Sequence, residues 1–595
     1  MSHGSRRVAP LTLLALPLVG LIGLLAWLLP FGDDEAPPAA ATTGPSGAAT
    51  IGTTSYKEPD DAVFVAPTGD DSAPGTKDKP LRTVVKAVQK ARPGGTIVLR
   101  KGTYHETVTI PSGKKLTLQS HPGEAAWFDG SVPVTGWRRA DGAWTSDGWA
   151  ARFDSSPSYT SGAPVSADPD FQFVDPKHPM AAHPDQMWID GTALRQVGSP
   201  GEVEPGTFYV DERARRLLLG SDPAGHEVRA SALGEAVTVR GAGSVLRGVG
   251  VRRYATALPQ LGSVKVAAPD VTVENVAVTD SATTGLSVLA PRARVRHVTA
   301  TRSGLLGIHA NQADDLRLDK VRTAHNNTER FKSAPVSGGI KVTRSRKVAV
   351  VDSVTVDNLG KGIWMDESVY DITLTGNRVV RNSSHGISLE LSAKAVVAGN
   401  AVRDNAGDGL RVNGTSDVRI WNNTLAKNGR TIHLVQDGRR PSDPSTPGRD
   451  PRQTRPDPAM TWLVEKITIS NNTLADPRPG TACLLCVEDH SHERKASQMG
   501  LVVNGNTYVR QFGAPRSLII WTPHDFAGLS QFKAATGQEA RGQAHESRGA
   551  AGADGTLEAS VAERGRASAL PLPREIAKLV GQAPGTRHMG AWTIR

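Results

Sequence analysis

Two short phrases in the middle of the chain end in acids: Gly-Ile-Trp-Met-Asp at 362–366 and Gly-Ile-Ser-Leu-Glu at 386–390. In each, the second and fourth residues are apolar, the period-two alternation of a strand with one buried face. If the two strands stack as neighbours, Asp366 and Glu390 share one register, with strands roughly 4.8 Å apart and carboxyls about 5–6 Å apart. Two carboxylates that close repel, so one holds its proton to a higher pH than the other. A protonated acid beside an ionised partner is what glycoside hydrolysis requires. A separation of roughly 5 Å suits a retaining route, with one carboxyl as nucleophile and the other as acid/base. Trp364, in the same strand, offers a face for a sugar ring.

The elements that must position this pair follow from repetition. The phrase recurs at Gly285–Leu289, Gly307–Asn311, Gly339–Thr343 and Gly409–Asn413, in steps of 22, 32, 23, 24 and 23 residues along the whole series. A fixed period in this range marks a solenoid with one supersecondary unit per repeat. The third positions form an outward row of Ser287, His309, Lys341, Trp364, Ser388 and Arg411. The fifth positions add Leu289, Asn311, Thr343, Asp366, Glu390 and Asn413. From these rows the substrate-binding candidates are Trp364, Lys341, His309, Arg411, Asn413 and Asn311, with Lys341 or Arg411 placed to hold an acidic substituent. His309 and His385 read first as hydrogen-bonded structural residues. Asn377, Asn400 and Asn423 keep the same beat and read as stacked turn residues.

Three short strands per coil with no helix between them describe an all-β fold, a right-handed parallel β-helix. Over roughly residues 230–510 the repeats resemble the pectate-lyase-like β-helix superfamily, in a membrane-anchored bacterial form. That superfamily spans hydrolases, lyases, epimerases and non-enzymatic proteins, so three readings stand. The first is a glycoside hydrolase-like enzyme using Asp366 and Glu390. The second, implied by the resemblance, is a calcium-dependent lyase or uronate epimerase: Ca2+ on Asp366, Glu367 and Glu390 neutralises a uronate, and Lys341, Lys394 or Arg411 takes the proton. No complete lyase motif is present. The third is a polysaccharide-binding or wall-scaffold protein with no catalysis.

The rest of the chain divides around the solenoid. Residues 8–31 are uncharged and long enough to span a bilayer, with Arg6 and Arg7 before and Asp33, Asp34 and Glu35 after. The expectation is a signal anchor over 1–32 with the remainder outside, or secretion if it is cleaved at Ala39–Ala41. Residues 33–60, rich in Ala, Pro, Gly, Ser and Thr, read as a flexible spacer. Residues 61–129 hold an amphipathic helix (Leu81, Val84, Val85, Val88, Ala91) that resembles the cap of extracellular β-helix proteins, followed by the first coils. Residues 130–229 break the period and, with Trp137, Trp144, Trp149, Trp188 and Tyr209, read as an inserted β-rich subdomain. The main helix occupies 230–540, interrupted by a loop around His325–Phe331 and an Arg/Asp/Pro-rich loop at 436–460; 541–595 reads as a loosely ordered tail with a short helix. The net charge of +10, +8 beyond the apolar run, favours an acidic polymer as partner. There is no Gly-rich phosphate loop and no nucleic-acid module, so nucleic acid is not proposed. Cys483 and Cys486 are the only cysteines; two ligands make no structural zinc site, and a local disulfide needs a bend in the strand.

Overall fold

The computed structural model describes residues 46–592 apart from 141, 548 and 550–556, and they form a right-handed parallel β-helix. The recurring phrase forms one face, a 13-stranded sheet running from Val108–Ile110 to His524–Phe526. The other two strands of each coil, such as Tyr370–Thr375 and Arg378–Val380, belong to a 24-stranded sheet. The apolar second and fourth positions all point inward: Ile340, Val342, Ile363, Met365, Ile387, Leu389, Leu410 and Val412 belong to one continuous core.

What holds the coils in register is a pair of buried asparagine ladders. Asn377 donates through Nδ2 to Asn400 (3.0 Å), Asn400 to Asn423 (2.9 Å), Asn423 to Asn472 (2.9 Å) and Asn472 to Asn506 (2.9 Å). Asn506 ends the row by donating to Glu539 (2.7 Å). A second ladder at the next corner joins Asn326, Asn358, Asn382, Asn405 and Asn428 at 2.8–2.9 Å. The left-handed backbone falls on the residue before each ladder asparagine (Gly376, Gly399, Asn422, Asn471 and Gly505 in the first), while the asparagine itself fills hydrogen bonds at the bend. Glycine relieves the steric cost of that conformation where it occurs.

Both ends of the core are closed. At the start, the helix Val84–Lys90 buries Val84, Ala87 and Val88; Thr83 caps it, accepting from Lys86 N at 3.2 Å. At the far end, Phe532 of the helix Leu529–Thr536 packs on Trp521 and Phe526. Without such covers the terminal coils would expose unpaired strand edges.

Two regions differ from the sequence expectation. The described part of the 33–60 spacer is laid along the solenoid: Gly47 N donates to Lys320 O (2.7 Å), Ala48 N to Thr299 Oγ1 (2.9 Å), and Asn275 Nδ2 to Tyr56 Oη (2.9 Å). Its small residues permit close approach; a Cβ on Gly47 would lie 2.8 Å from Thr299 Oγ1. The tail also docks. Val561 of the helix Ala559–Ser568 packs with Ala426, Ala475 and Val509, and Ile576 and Ala577 of Arg574–Leu579 with Ala398 and Trp421. The few apolar residues of a polar segment suffice here because the solenoid flank offers matching small and aromatic partners. The apolar run expected to anchor the chain lies outside the described residues, and among those described no helix is long and apolar enough to cross a membrane.

Replacing Asn400 by Ala removes the acceptor of both Asn377 N and Asn377 Nδ2 in a dry corner. Unfolding in urea should show a loss of about 2–4 kcal/mol; a change under about 0.5 kcal/mol would show that the ladder does not hold the coils.

Candidate functional site

The site lies on the face built from the recurring phrase. Strands Gly338–Thr343, Lys361–Asp366, Ile387–Glu390 and Leu410–Asn413 pair in parallel, with Lys341 opposite Trp364, Thr343 opposite Asp366, Trp364 opposite Ser388 and Glu390 opposite Asn413. Met365 pairs with Leu389, so Asp366 and Glu390 come next in line on neighbouring coils.

Three segments cover this outward face and turn it into a recess. From the inserted subdomain, an irregular arm brings Tyr159, Phe171 and Phe173 across it; from between two coils, the loop at 328–337 packs beside that arm through Phe331 and Val336. Lys332 N donates to Phe173 O at 2.9 Å, joining the two. From the other side, a strap at 437–462 is tied down by Ser368 Oγ donating to Gly448 O (2.8 Å), Arg452 pairing with Asp314 (3.0 Å) and the buried Trp462.

Under these covers, charges alternate. Lys341 Nζ lies 3.0 Å from Asp366 Oδ2, both only 6% exposed. Asp366 Oδ1 accepts from Glu367 N (2.8 Å), and Lys341 also donates to Pro335 O of the covering loop. Trp364 Nε1 donates to Glu390 Oε2 (3.1 Å), and Arg439 of the strap donates to Glu390 Oε1 (2.7 Å) and to Asp437 (2.7 Å). Lys361 Nζ sits 3.1 Å from the centre of the Trp364 ring and Lys341 Nζ 3.8 Å from it.

This environment drives the two carboxyls apart in proton affinity. Burial pushes Asp366 up to about 6; Lys341 opposes the shift, and the charges of Glu390 and Glu367 add to it. Glu390 goes down to about 2, because the charges of Lys361 and Arg439 outweigh its burial. Burial pulls Lys361 down to about 8 against the attraction of Glu390. Burial, with Lys341 and Arg344 nearby, takes His309 down to about 4. An acid that keeps its proton beside one that does not, in a covered recess, is equipped for general acid catalysis.

Lys341, Trp364, Asp366 and Glu390 therefore come together, and His309 and Asn311 line a pocket of about 480 Å³ immediately beside them, walled by the three aromatics of the arm. Other expected roles are corrected. Trp364 is no open stacking platform: it is 3% exposed and two ammonium groups lie against its ring. Arg411 is engaged elsewhere, 3.3 Å from Asp408 in a network with His433 and Arg430. Asn413 is buried beside Asp437. Lys394 lies in Ala393–Ala398, on the other sheet, paired with Asp371 at 3.4 Å. The donor set named for calcium does not fit: Asp366, Glu390 and Glu367 each face a different cation (Lys341, Arg439 and Arg344), and among the described residues no group of three or more acids, His or Cys converges on a point.

Sequence reasoning missed Lys361, Arg439 and the aromatic arm. Lys361 shares the parity of the inward residues Ile363 and Met365, so alternation hides it; it is the first residue of its strand, and its ammonium lies over the Trp364 ring. The charge density of 436–460 flagged the strap without identifying Arg439 as the partner of Glu390. Tyr159, Phe171 and Phe173 lie in aperiodic sequence with no signal of where they go. The tryptophans singled out in the insertion pack inward: Trp188 is buried, and Trp137, Trp144 and Trp149 cover a core of Met187, Phe208 and Leu217. Cys483 and Cys486 form a disulfide just ahead of and within the strand Leu485–Asp489.

Comparison with known proteins places this geometry among its likenesses. A family profile described as periplasmic copper-binding protein (NosD) matches residues 270–442, and a protein of unknown function family (DUF1565) matches 67–111. An uncharacterised protein, YwoF, of Bacillus subtilis (strain 168) is 39% identical over 74 residues, 12% of this chain and 16% of that protein. Pectate lyase PEL9 of Emericella nidulans is 40% identical over 74 residues, 11% of this chain and 18% of that protein. The chain thus spans less than a fifth of the length of either curated relative. Among solved structures, the complex of XylC with xylose superposes with a TM-score of 0.58 at 14% identity, covering 78% of this chain and 86% of that one. That likeness, with the sheet pattern, establishes the fold: the chain is a right-handed parallel β-helix protein.

Proposed function

We propose that this protein is a glycoside hydrolase-like enzyme acting on polysaccharide outside the cytoplasm. The observation that carries the reading is the pair Asp366 and Glu390, adjacent in one register, with Asp366 raised to about 6 and Glu390 lowered to about 2. In this reading Asp366 donates its proton to the leaving glycosidic oxygen, and the ionised Glu390 attacks or stabilises the positively charged sugar carbon. A strand spacing of roughly 4.8 Å suits the retaining geometry. The printed names of relatives (a pectate lyase, and XylC bound to xylose) support a carbohydrate ligand in general terms. The apolar run at 8–31 and the Cys483–Cys486 disulfide support an exported location.

A second reading, elimination or epimerisation at a uronate, is favoured by Lys361: a buried amine drawn down to about 8 is a base available near neutral pH. The two readings differ in product. Purified protein incubated with neutral and acidic polysaccharides should release new reducing ends without the ultraviolet absorbance of unsaturated sugars; absorbance together with reducing ends would move the assignment to elimination.

Asp366→Asn and Glu390→Gln should each cut the rate by about 10²–10⁴-fold, and unchanged turnover in either would remove the hydrolase reading. The pH profile has a definite sign. Asp366 works protonated, so activity should decline as pH rises through about 6. Lys361→Met withdraws the charge that keeps Glu390 ionised, so the acidic limb of the profile should move to higher pH.

A further inference from the structure

We propose that the pocket beside the carboxyl pair binds an uncharged, polyhydroxylated sugar ring, packed against Tyr159 and Phe173 and hydrogen-bonded by Tyr159, His309 and Asn311. The inference rests on the hydrolase reading for its site and adds the class of ligand.

The first argument is an inventory of unfilled hydrogen bonds. Tyr159 Oη is buried and has no partner among the described residues. His309 Nδ1 lies 3.3 Å from Ser287 Oγ, whose single proton goes to Leu261 O. Ser287 therefore accepts from His309, the ring carries its proton on Nδ1, and Nε2 keeps a bare lone pair. No described protein group donates to that nitrogen. Its strongly lowered proton affinity keeps the ring neutral, so Nε2 stays an acceptor at ordinary pH. Asn311 Oδ1 is filled by Thr343 Oγ1 (2.9 Å), which leaves Nδ2 as a donor. One hydroxyl, one acceptor and one donor, set around a pocket of about 480 Å³ with an aromatic wall, complement vicinal hydroxyls on a ring with apolar faces.

The second argument is charge. Above about pH 6, where Asp366 is ionised, the cations bordering the pocket are both paired: Lys341 with Asp366 at 3.0 Å and Arg344 with Glu367 at 2.5 Å. No cation there is left to meet a carboxylate substituent, and a uronate would bring a further anion beside Asp366 and Glu367. A buried charge without a partner is disfavoured. The basic balance of the whole chain, which alone favours an acidic polymer, does not reach this pocket.

The test is ligand binding to the full chain, read by calorimetry and by saturation-transfer NMR, with methyl β-glucopyranoside, methyl β-xylopyranoside and methyl β-glucuronide as probes. The neutral glycosides should bind and the glucuronide should bind more weakly than its glucoside. Tyr159→Ala should weaken neutral binding by about tenfold, and Tyr159→Phe by a smaller factor that isolates the hydroxyl. Asp366→Asn frees Lys341, so the glucuronide should gain on the glucoside in that variant. Glucuronide binding at least as tightly as glucoside to the natural protein, no neutral binding at millimolar concentration, or indifference to Tyr159→Ala would each overturn the proposal. Because binding is read without turnover, neutral binding in a protein that cleaves nothing would sink the hydrolase reading and leave the pocket assignment standing.

Discussion

Everything in this molecule depends on coils stacking in parallel at the spacing of neighbouring strands. The inward valines, isoleucines and leucines supply the drive to stack, but apolar contacts alone tolerate slippage. The asparagine ladders do not. Each buried amide donates to the next and accepts from the previous coil, so a shift of one residue would leave a row of polar groups unpaired in a dry corner. Register, once enforced at the corners, is inherited by the functional face. The first ladder even bridges the long strap, joining Asn423 to Asn472 as if nothing intervened, which is how a solenoid accepts a large insertion without losing its period.

The same spacing explains the electrostatics of the site. Side chains one coil apart are forced into contact distance, so a row with alternating charge becomes a chain of ion pairs, and a row with like charge becomes a source of shifted proton affinities. Both occur here. Lys341 meets Asp366 across one step, while Asp366 and Glu390 stand next in line across the following step, where the charge of Glu390 helps raise Asp366. One coil further, Asp408 is held well below the usual carboxylate range: burial would raise it, and its hydrogen bond with His433 and the charges of His433, His385 and Arg430 outweigh that. On an open sheet, water would damp these effects. The arm, the loop and the strap exclude that water. The acid pair owes its neighbours to the solenoid and its chemistry to the covers.

This division matters for how such folds diversify. In this chain the stacked coils act as a ruler, and the covering segments supply what the ruler does not. Here the aromatic wall comes from the insertion and the cation on Glu390 from the strap, both outside the repeats. A change in ligand class requires no change in the ruler.

The amino-acid sequence by itself determined the fold, the period, the register that places Asp366 beside Glu390, and the helix that caps the first coil, because each is written in local alternation and regular spacing. It also marked the positions of the strap and the coil loop as breaks in that spacing. Only the tertiary structure decided what those breaks do. Trp364 reads as an exposed platform until two lysines are found against its ring, and one of them, Lys361, carries no sequence signal of that contact. Arg411 and Lys394, equivalent in charge to Lys341, are assigned to a separate network and to another face. Tyr159, from more than two hundred residues before Glu390, reaches the pocket through an aperiodic arm. Periodic sequence encodes its own geometry because every coil is its neighbour's template. Segments without a period fold against surfaces far away in the chain, and their contacts exist only once those surfaces do.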